Sequence, residues 1–430
     1  MGISILNSLW ILTFQTGIMK TMKVWIKYLI GTILGIIAAF VLPLDIPAVD
    51  SALATLSEIA VRFGRYALIP LVFFGTSMAM FNLRRRKHIL KTSLWTVGTI
   101  IASSFVLVVL GLLSVLIVQL PRIPIASEKI SDVPTINIKD MILRIFPFSG
   151  FASLSEGLYL LPVFFLAAFV GGACASDAND SKPVLGVFES AMKLCQTMSA
   201  FFVEWLSVGF MAISAYWMIQ ARSIFSTQTF TPLFMILLVD FLIVAGIIYP
   251  LILRILCKDL RPYHVLYASI CSLITAFFSG DTNLTLLTNY RHSKESLGIH
   301  DEVNNFTLPL FSIFARGGTA LVTSICFVII LRSYSSLGFT FFDIIWIFAI
   351  SFLVSFALGA FPVAGTFVSL TVICSMYGRG FEAGYLLLKP AVPFLCSFAA
   401  AFDALSAITG NYIVAVKTKK FDKVELKHYI

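Results

Sequence analysis

The chain has 430 residues, 59% of them hydrophobic and 12% charged, with a mean hydropathy of +0.94. So few charges cannot cover the surface of a soluble protein of this length, and the composition defines an all-α polytopic membrane protein. The net charge of +9 does not indicate nucleic acid, because the cations gather at the ends of apolar runs, in the positive-inside pattern.

Residues 1–18 are moderately apolar with no basic residue ahead of them, so they do not read as a secretory signal. An interfacial segment and a translation start at Met19 or Met22 both remain open. Span one is expected from Trp25 to Leu42, span two from Leu56 to Phe81 and span three from Leu94 to Leu120. A polar, external loop follows from Pro121 to about Lys139. Span four, within residues 142–173, is broken by Pro147 and reopened by Pro162; span five covers Val187 to Ile219 and span six Thr231 to Leu256. The flanking clusters Lys20–Lys27, Arg84–Lys91, Arg254–Arg261 and Lys417–Lys427 place both termini in the cytoplasm and the chain in the cytoplasmic (inner or plasma) membrane.

Beyond span six the spacing changes. Residues 265–290 hold two half-length apolar pieces around Ser279, Gly280, Asp281, Thr282 and Asn283, with basic residues at both ends. That pattern predicts a re-entrant hairpin. Residues 303–331 form a span interrupted at Arg316, Gly317 and Gly318, and residues 340–376 repeat the hairpin pattern around Gly359 to Gly365, entering from the opposite face. Residues 383–416 form the last span. Hairpin plus broken span, twice, predicts an inverted repeat with a solute site where the tips meet near the bilayer midplane. The five histidines lie in or beside charged segments near span ends and the seven cysteines are scattered without metal-ligand spacing. An intramembrane enzyme, a metal site and a cofactor are therefore not expected.

In order and at family spacing, IGTILGIIAAFVL, RIFPFSGFASLSEGLYLLPVFFLAAFVGG, GIHDEVNNFTLPL, ARGGTAL, FPVAG and ITGNYIVAVKTK resemble the dicarboxylate/amino acid:cation symporters, the glutamate-transporter homologues, from about Met22 onward. The resemblance implies eight transmembrane helices plus two re-entrant hairpins, an elevator-type transporter and a homotrimer. It divides the chain into residues 22–92 (scaffold spans one and two), 93–120 (span three of the transport domain), 140–220 (scaffold spans four and five) and 228–430 (the rest of the transport domain).

Carried over by position, the family's substrate site falls on Ser279, Asp281, Thr282 and Asn283 in hairpin one, Arg316 and Thr319 in span seven, Phe361, Pro362 and Gly365 in hairpin two, and Cys396 and Asp403 in span eight. Its cation-coupling positions fall on Arg316, Gly317, Asp403 and Ala407. The departures from the family pattern are concerted. Where the family has Asn-Met-Asp-Gly-Thr, this chain has Ala315–Arg316–Gly317–Gly318–Thr319. The amino-group Asp, the specificity Arg and the sodium-binding Asp of span eight are Cys396, Ala399 and Ala407 here.

A buried arginine in a span needs a partner, and Asp403 is the candidate. The pair reads either as a tethered charge that replaces a coupling sodium and faces an anionic solute, or as a purely structural pair; a snorkelling Arg316 is the further alternative. Asp281 reads as a proton carrier or as the cap of the second hairpin helix. Thr319 either donates to the solute or bonds back to its own helix, Pro362 and Gly365 serve the turn of hairpin two, and Cys396 packs. The expected function is secondary, symporter-like transport of a small organic anion or amino acid with remodelled sodium sites; sodium, proton or lost coupling remain open. The alternative is a channel-like or exchange-only pore on the same scaffold.

Overall fold

The computed structural model describes residues 22–42, 47–118, 120–124, 149–155, 159–227, 229–334, 340–378 and 380–430. The expected interfacial segment at 1–18, most of the external loop and Pro147 lie outside these residues. Among the described residues the chain is helical, without a strand and with one isolated bridge, between Ile299 and Phe421.

Three long helices open the chain after its first basic residues: α1 (Val24–Val41), α2 (Pro47–Gly64) and α3 (Leu68–Arg85), followed by α4 (Ile89–Ile117). α1 packs on α7 (Lys182–Thr227) through Gly31 and Gly35. A Cβ on Gly31 would sit 2.3 Å from the Ser207 carbonyl oxygen, and one on Gly35 would sit 2.1 Å from Ser214 Oγ. Small residues in a G-x-x-x-G pattern let the two backbones approach this closely. The expected span two is in fact two helices. It breaks at Arg65–Ala67, between α2 and α3. Gly64 ends α2, and Pro70 in the first turn of α3 has no N–H for the Tyr66 carbonyl four residues back; the break turns Arg65 toward the site described below.

Span four contributes the short α5 (Gly150–Ser155) and α6 (Leu160–Ser176). α6 is 17 residues, about 25 Å at 1.5 Å per residue. Span six is α8 (Thr231–Ile243) and α9 (Tyr249–Leu256), joined by a π-turn over Val244–Ile248. Pro250 explains the turn, since it has no N–H for the Gly246 carbonyl four residues back.

The second half contains two helix–turn–helix units. α10 (Tyr263–Ser279) and α11 (Thr282–Glu295) form the first; α14 (Phe341–Ala357) and α15 (Gly365–Tyr377) form the second. Between them, span seven is α12 (Asp301–Phe314) and α13 (Gly317–Tyr334), broken at Ala315–Arg316, and α16 (Val392–Thr418) is the last long helix. Seven helical stretches are long and apolar enough to cross a membrane, among the described residues. α12–α13 and α16 are the most enclosed of these, while α1 and α4 turn much of their surface outward.

Among the described residues two large hydrophobic clusters organise the packing, with a small third one of Ala276, Ala400 and Ala404. One joins α4, α8, α9, α13, α15 and α16. The other joins α1, α3, α6 and α7 and also takes in Leu284, Leu286 and Leu287 of α11 and Phe306 and Leu308 of α12. The first hairpin therefore lies where the clusters meet. His292, expected near a charged span end, is on α11 and is buried, with neither ring nitrogen hydrogen-bonded.

Candidate functional site

The first hairpin turns on two residues. Gly280 closes α10 at φ +60°, a conformation that glycine adopts without the cost a Cβ brings. Asp281 then caps α11, its Oδ1 accepting the Asn283 N–H at 2.9 Å. The fully buried Asp281 carboxylate is ion-paired with Arg65 at the α2–α3 break. Sequence periodicity gave no sign of that partner. Asp281 therefore holds both the start of α11 and a neutralising cation.

The second hairpin turns through Phe361 and Pro362, with Ala364 at φ +57° ahead of α15. Its tip lies on the first. The Thr282 N–H and hydroxyl both donate to the Pro362 carbonyl, at 3.2 and 3.3 Å. The backbone donors of the first tip are engaged: Gly280 N–H with Ala276, Asp281 N–H with Ser279 Oγ, Thr282 with Pro362 and Asn283 with Asp281.

Behind the tips lies the break in span seven. Arg316 is 3% exposed. One of its terminal nitrogens donates to the Phe361 carbonyl at 3.5 Å and the other lies 3.9 Å from Asp403 Oδ2, while Nε has no hydrogen-bond partner among the described residues. Asp403 does more than face Arg316. It accepts the Gly318 N–H at 2.7 Å, the Thr319 N–H at 3.2 Å and the Thr319 hydroxyl at 2.8 Å. A carboxylate from α16 thus caps the N-terminus of α13, where unsatisfied N–H groups and the helix dipole favour negative charge. Gly318 permits it: a Cβ there would lie 2.2 Å from Phe402 Cβ and 2.8 Å from Asp403 Oδ1.

Two cavities flank this centre. The outer one, about 550 Å³, is lined by Ser279 and Gly280 of the first tip, Val363 and Ala364 of the second, Cys396 of α16, and the cation Lys389. The inner one, about 10 Å³, lies between α11, α12 and α16, lined by Thr282, Thr285, Asn289, Ser312, Asp403 and Ala407 among others. That is room for one water-sized guest. Asn289 Oδ1, buried, has no hydrogen-bond partner among the described residues.

The expected site residues therefore fall into one connected set. Asp281, Thr282, Pro362, Phe361, Arg316, Asp403 and Thr319 form a chain of direct contacts; Asn283 joins through its N–H, and Ser279 and Cys396 line the outer cavity. Gly365 lies beside Thr319, where a Cβ would sit 3.8 Å from the methyl group. Gly317 stands apart, against Ser104 of α4. Ala407 lines only the inner cavity. Reading by residue overlooked Arg65, Lys389, Asn289 and Asp240, a buried carboxylate on α8 that accepts a hydrogen bond from Ser114 of α4 at 2.7 Å. Asp240 and Lys389 carried a signal, as lone charges inside apolar runs. Arg65 and Asn289 did not.

Seven membrane-length stretches, paired helical tips in contact and a charged pair at a broken helix define a multi-pass membrane transporter rather than an enzyme. Residues 24–420 match the family described as Sodium:dicarboxylate symporter family, and the chain belongs to that family. A comparison with curated protein sequences finds no match.

Proposed function

We propose that the chain is a secondary active carrier of a small organic anion, of the dicarboxylate class, working by an elevator motion of the hairpins and spans three, six, seven and eight against spans one, two, four and five. The cytoplasmic membrane, cytoplasmic termini and a homotrimer belong to the same reading. One observation carries the choice of substrate charge. The carbonyls of Phe361 and Pro362 in the second tip are held by Arg316 and Thr282. These donors are suited to a carboxylate, and charge-assisted hydrogen bonds are about twice as strong as neutral ones. Parting the tips releases both donors at once, and an anion takes the place of the two carbonyls. Lys389, without an ion pair among the described residues, adds positive charge to the outer cavity through which that anion arrives.

The same geometry supports coupling without sodium at the Arg316 position. Arg316 supplies a fixed positive charge where the family supplies ion ligands, and the Asp403 oxygens are already engaged by α13. A second reading, a remodelled sodium site, rests on the unpartnered Asn289 Oδ1 beside Asp403 in the inner cavity.

The substrate class is tested by the thermal stability of the purified protein against dicarboxylates, monocarboxylates, zwitterionic amino acids and neutral solutes. A ligand that binds the folded state at a hundred times its Kd stabilises by about 2.7 kcal/mol. Dicarboxylates are expected to raise the melting temperature, and the Arg316→Met variant to lose that shift. Stabilisation by zwitterions or neutral solutes alone contradicts the proposal.

A further inference from the structure

At the end of the bundle where basic residues gather, a cleft of about 900 Å³ opens between Lys23 at the start of α1, the π-turn and α9, the start of α10, and the C-terminal segment. Its charged lining is of one sign: Lys23, Arg254, Arg261 and Lys427, with His264 beside them. Lys427 is neutralised by Glu425 at 2.6 Å, and His264 faces Asp259. Arg254 and Arg261 have no carboxylate partner among the described residues. The Lys23 ammonium rests on the Tyr267 hydroxyl and ring rather than on an acid.

The opposite wall is apolar. Ile247 and Leu251 are 62% and 53% exposed, and Ile255, 65% exposed, continues the same outward strip of span six. The cleft is held open by the backbone. Pro250 leaves the Gly246 carbonyl without its helical partner, and Tyr263 of α10 donates its hydroxyl to that oxygen at 3.1 Å. At Gly246 the position of a Cβ has nothing within 4 Å, so no side chain fills the space beside the turn.

We infer that this cleft is a binding site for an anionic phospholipid, its phosphate against Arg254, Arg261 and Lys23 and its acyl chains along Ile247, Leu251 and Ile255. A soluble anion uses only the cations. An anionic lipid uses both walls, and it lies where a membrane-crossing helix meets its flanking charges, the place where basic pockets select anionic headgroups. The occupant straddles α1 and α10, so it also favours the present arrangement of these two helices. None of this depends on the solute that the carrier moves.

Native mass spectrometry of the full-length detergent-solubilised protein tests the inference, with phosphatidylglycerol and phosphatidylcholine of identical chains. Each cation beside an anionic headgroup contributes about 1 kcal/mol, or about fivefold in affinity. Preferential retention of phosphatidylglycerol is expected. The exposed double variant Arg254→Gln/Arg261→Gln is expected to lose about 25-fold of that preference, and Arg254→Lys/Arg261→Lys to keep it, which separates charge from any loss of folding. Equal retention of the two lipids overturns the inference. So does an undiminished preference in the glutamine variant. Displacement of the lipid by glycerol phosphate at matched ionic strength also overturns it, by showing that the site takes a soluble anion.

Discussion

Arg316 and Asp403 meet at the break in span seven, and their structural roles there are unequal. Asp403 both faces a buried cation and satisfies three donors at the start of α13. Arg316 touches Asp403 and the Phe361 carbonyl only loosely, and one of its nitrogens is unpartnered. Removing one member of a buried pair leaves an uncompensated charge, at a cost of about 3–5 kcal/mol. Asp403→Ala is therefore expected to destabilise strongly. Arg316→Met is expected to cost less, because the carboxylate keeps its donors from α13. A double-mutant cycle read by thermal unfolding checks this: Arg316→Met added to Asp403→Ala should restore part of the lost stability. Strict additivity would show that the two charges do not interact.

At the scale of elements, the first hairpin is held by two devices that can be separated. Asp281 caps α11 through Oδ1 and pairs with Arg65 through the other oxygen. Asn is as good a cap as Asp, so Asp281→Asn keeps the cap and removes the charge, whereas Asp281→Ala removes both. Hydrogen exchange across residues 279–285 should rise in Asp281→Asn and in Arg65→Met. It should rise further in Asp281→Ala, by the equivalent of about 1 kcal/mol for the cap. Equal protection in all three variants would contradict this division of roles. These elements also show what the sequence could carry. The turns at Gly280–Asp281 and Arg316–Gly317 were legible because polar and glycine residues have no other place in an apolar run. The α2–α3 break had a signal that the apolar spacing hid, since Gly64 and Pro70 bracket it; the partner of Arg65, a carboxylate some two hundred residues away, had none. The partners of the amides at the first tip had no local signal where they lie on the other hairpin, as Pro362 does for Thr282.

At the scale of the molecule, the seam between α11 and the helices around it is crossed by charge. Arg65 meets Asp281, Arg291 donates to Glu204 at 2.8 Å and to the Ala200 carbonyl at 3.0 Å, and Lys294 donates to Gln196 at 2.7 Å. The Arg65–Asp281 pair is largely buried, whereas Glu204 opposite Arg291 is half-exposed, where such a pair contributes little; in the elevator motion we propose, the buried pair is the contact that must part. Arg65→Cys and Asp281→Cys, in a background free of the native cysteines, can be bridged by a reducible bifunctional thiol reagent that spans the reach of the lost arginine side chain. Bridging should stop uptake and reduction restore it; undiminished uptake by the bridged protein would rule out movement of this hairpin against α2 and α3.

A tethered charge at Arg316 in place of a coupling sodium, as we propose, makes uptake indifferent to that ion. Uptake of a labelled dicarboxylate into proteoliposomes, with sodium replaced stepwise by choline at constant ionic strength, tests it most directly. The predicted result is uptake that saturates with substrate and does not change across the sodium series. A steep, saturable dependence on sodium would contradict it and would assign the ion to the inner cavity beside Asn289 and Asp403.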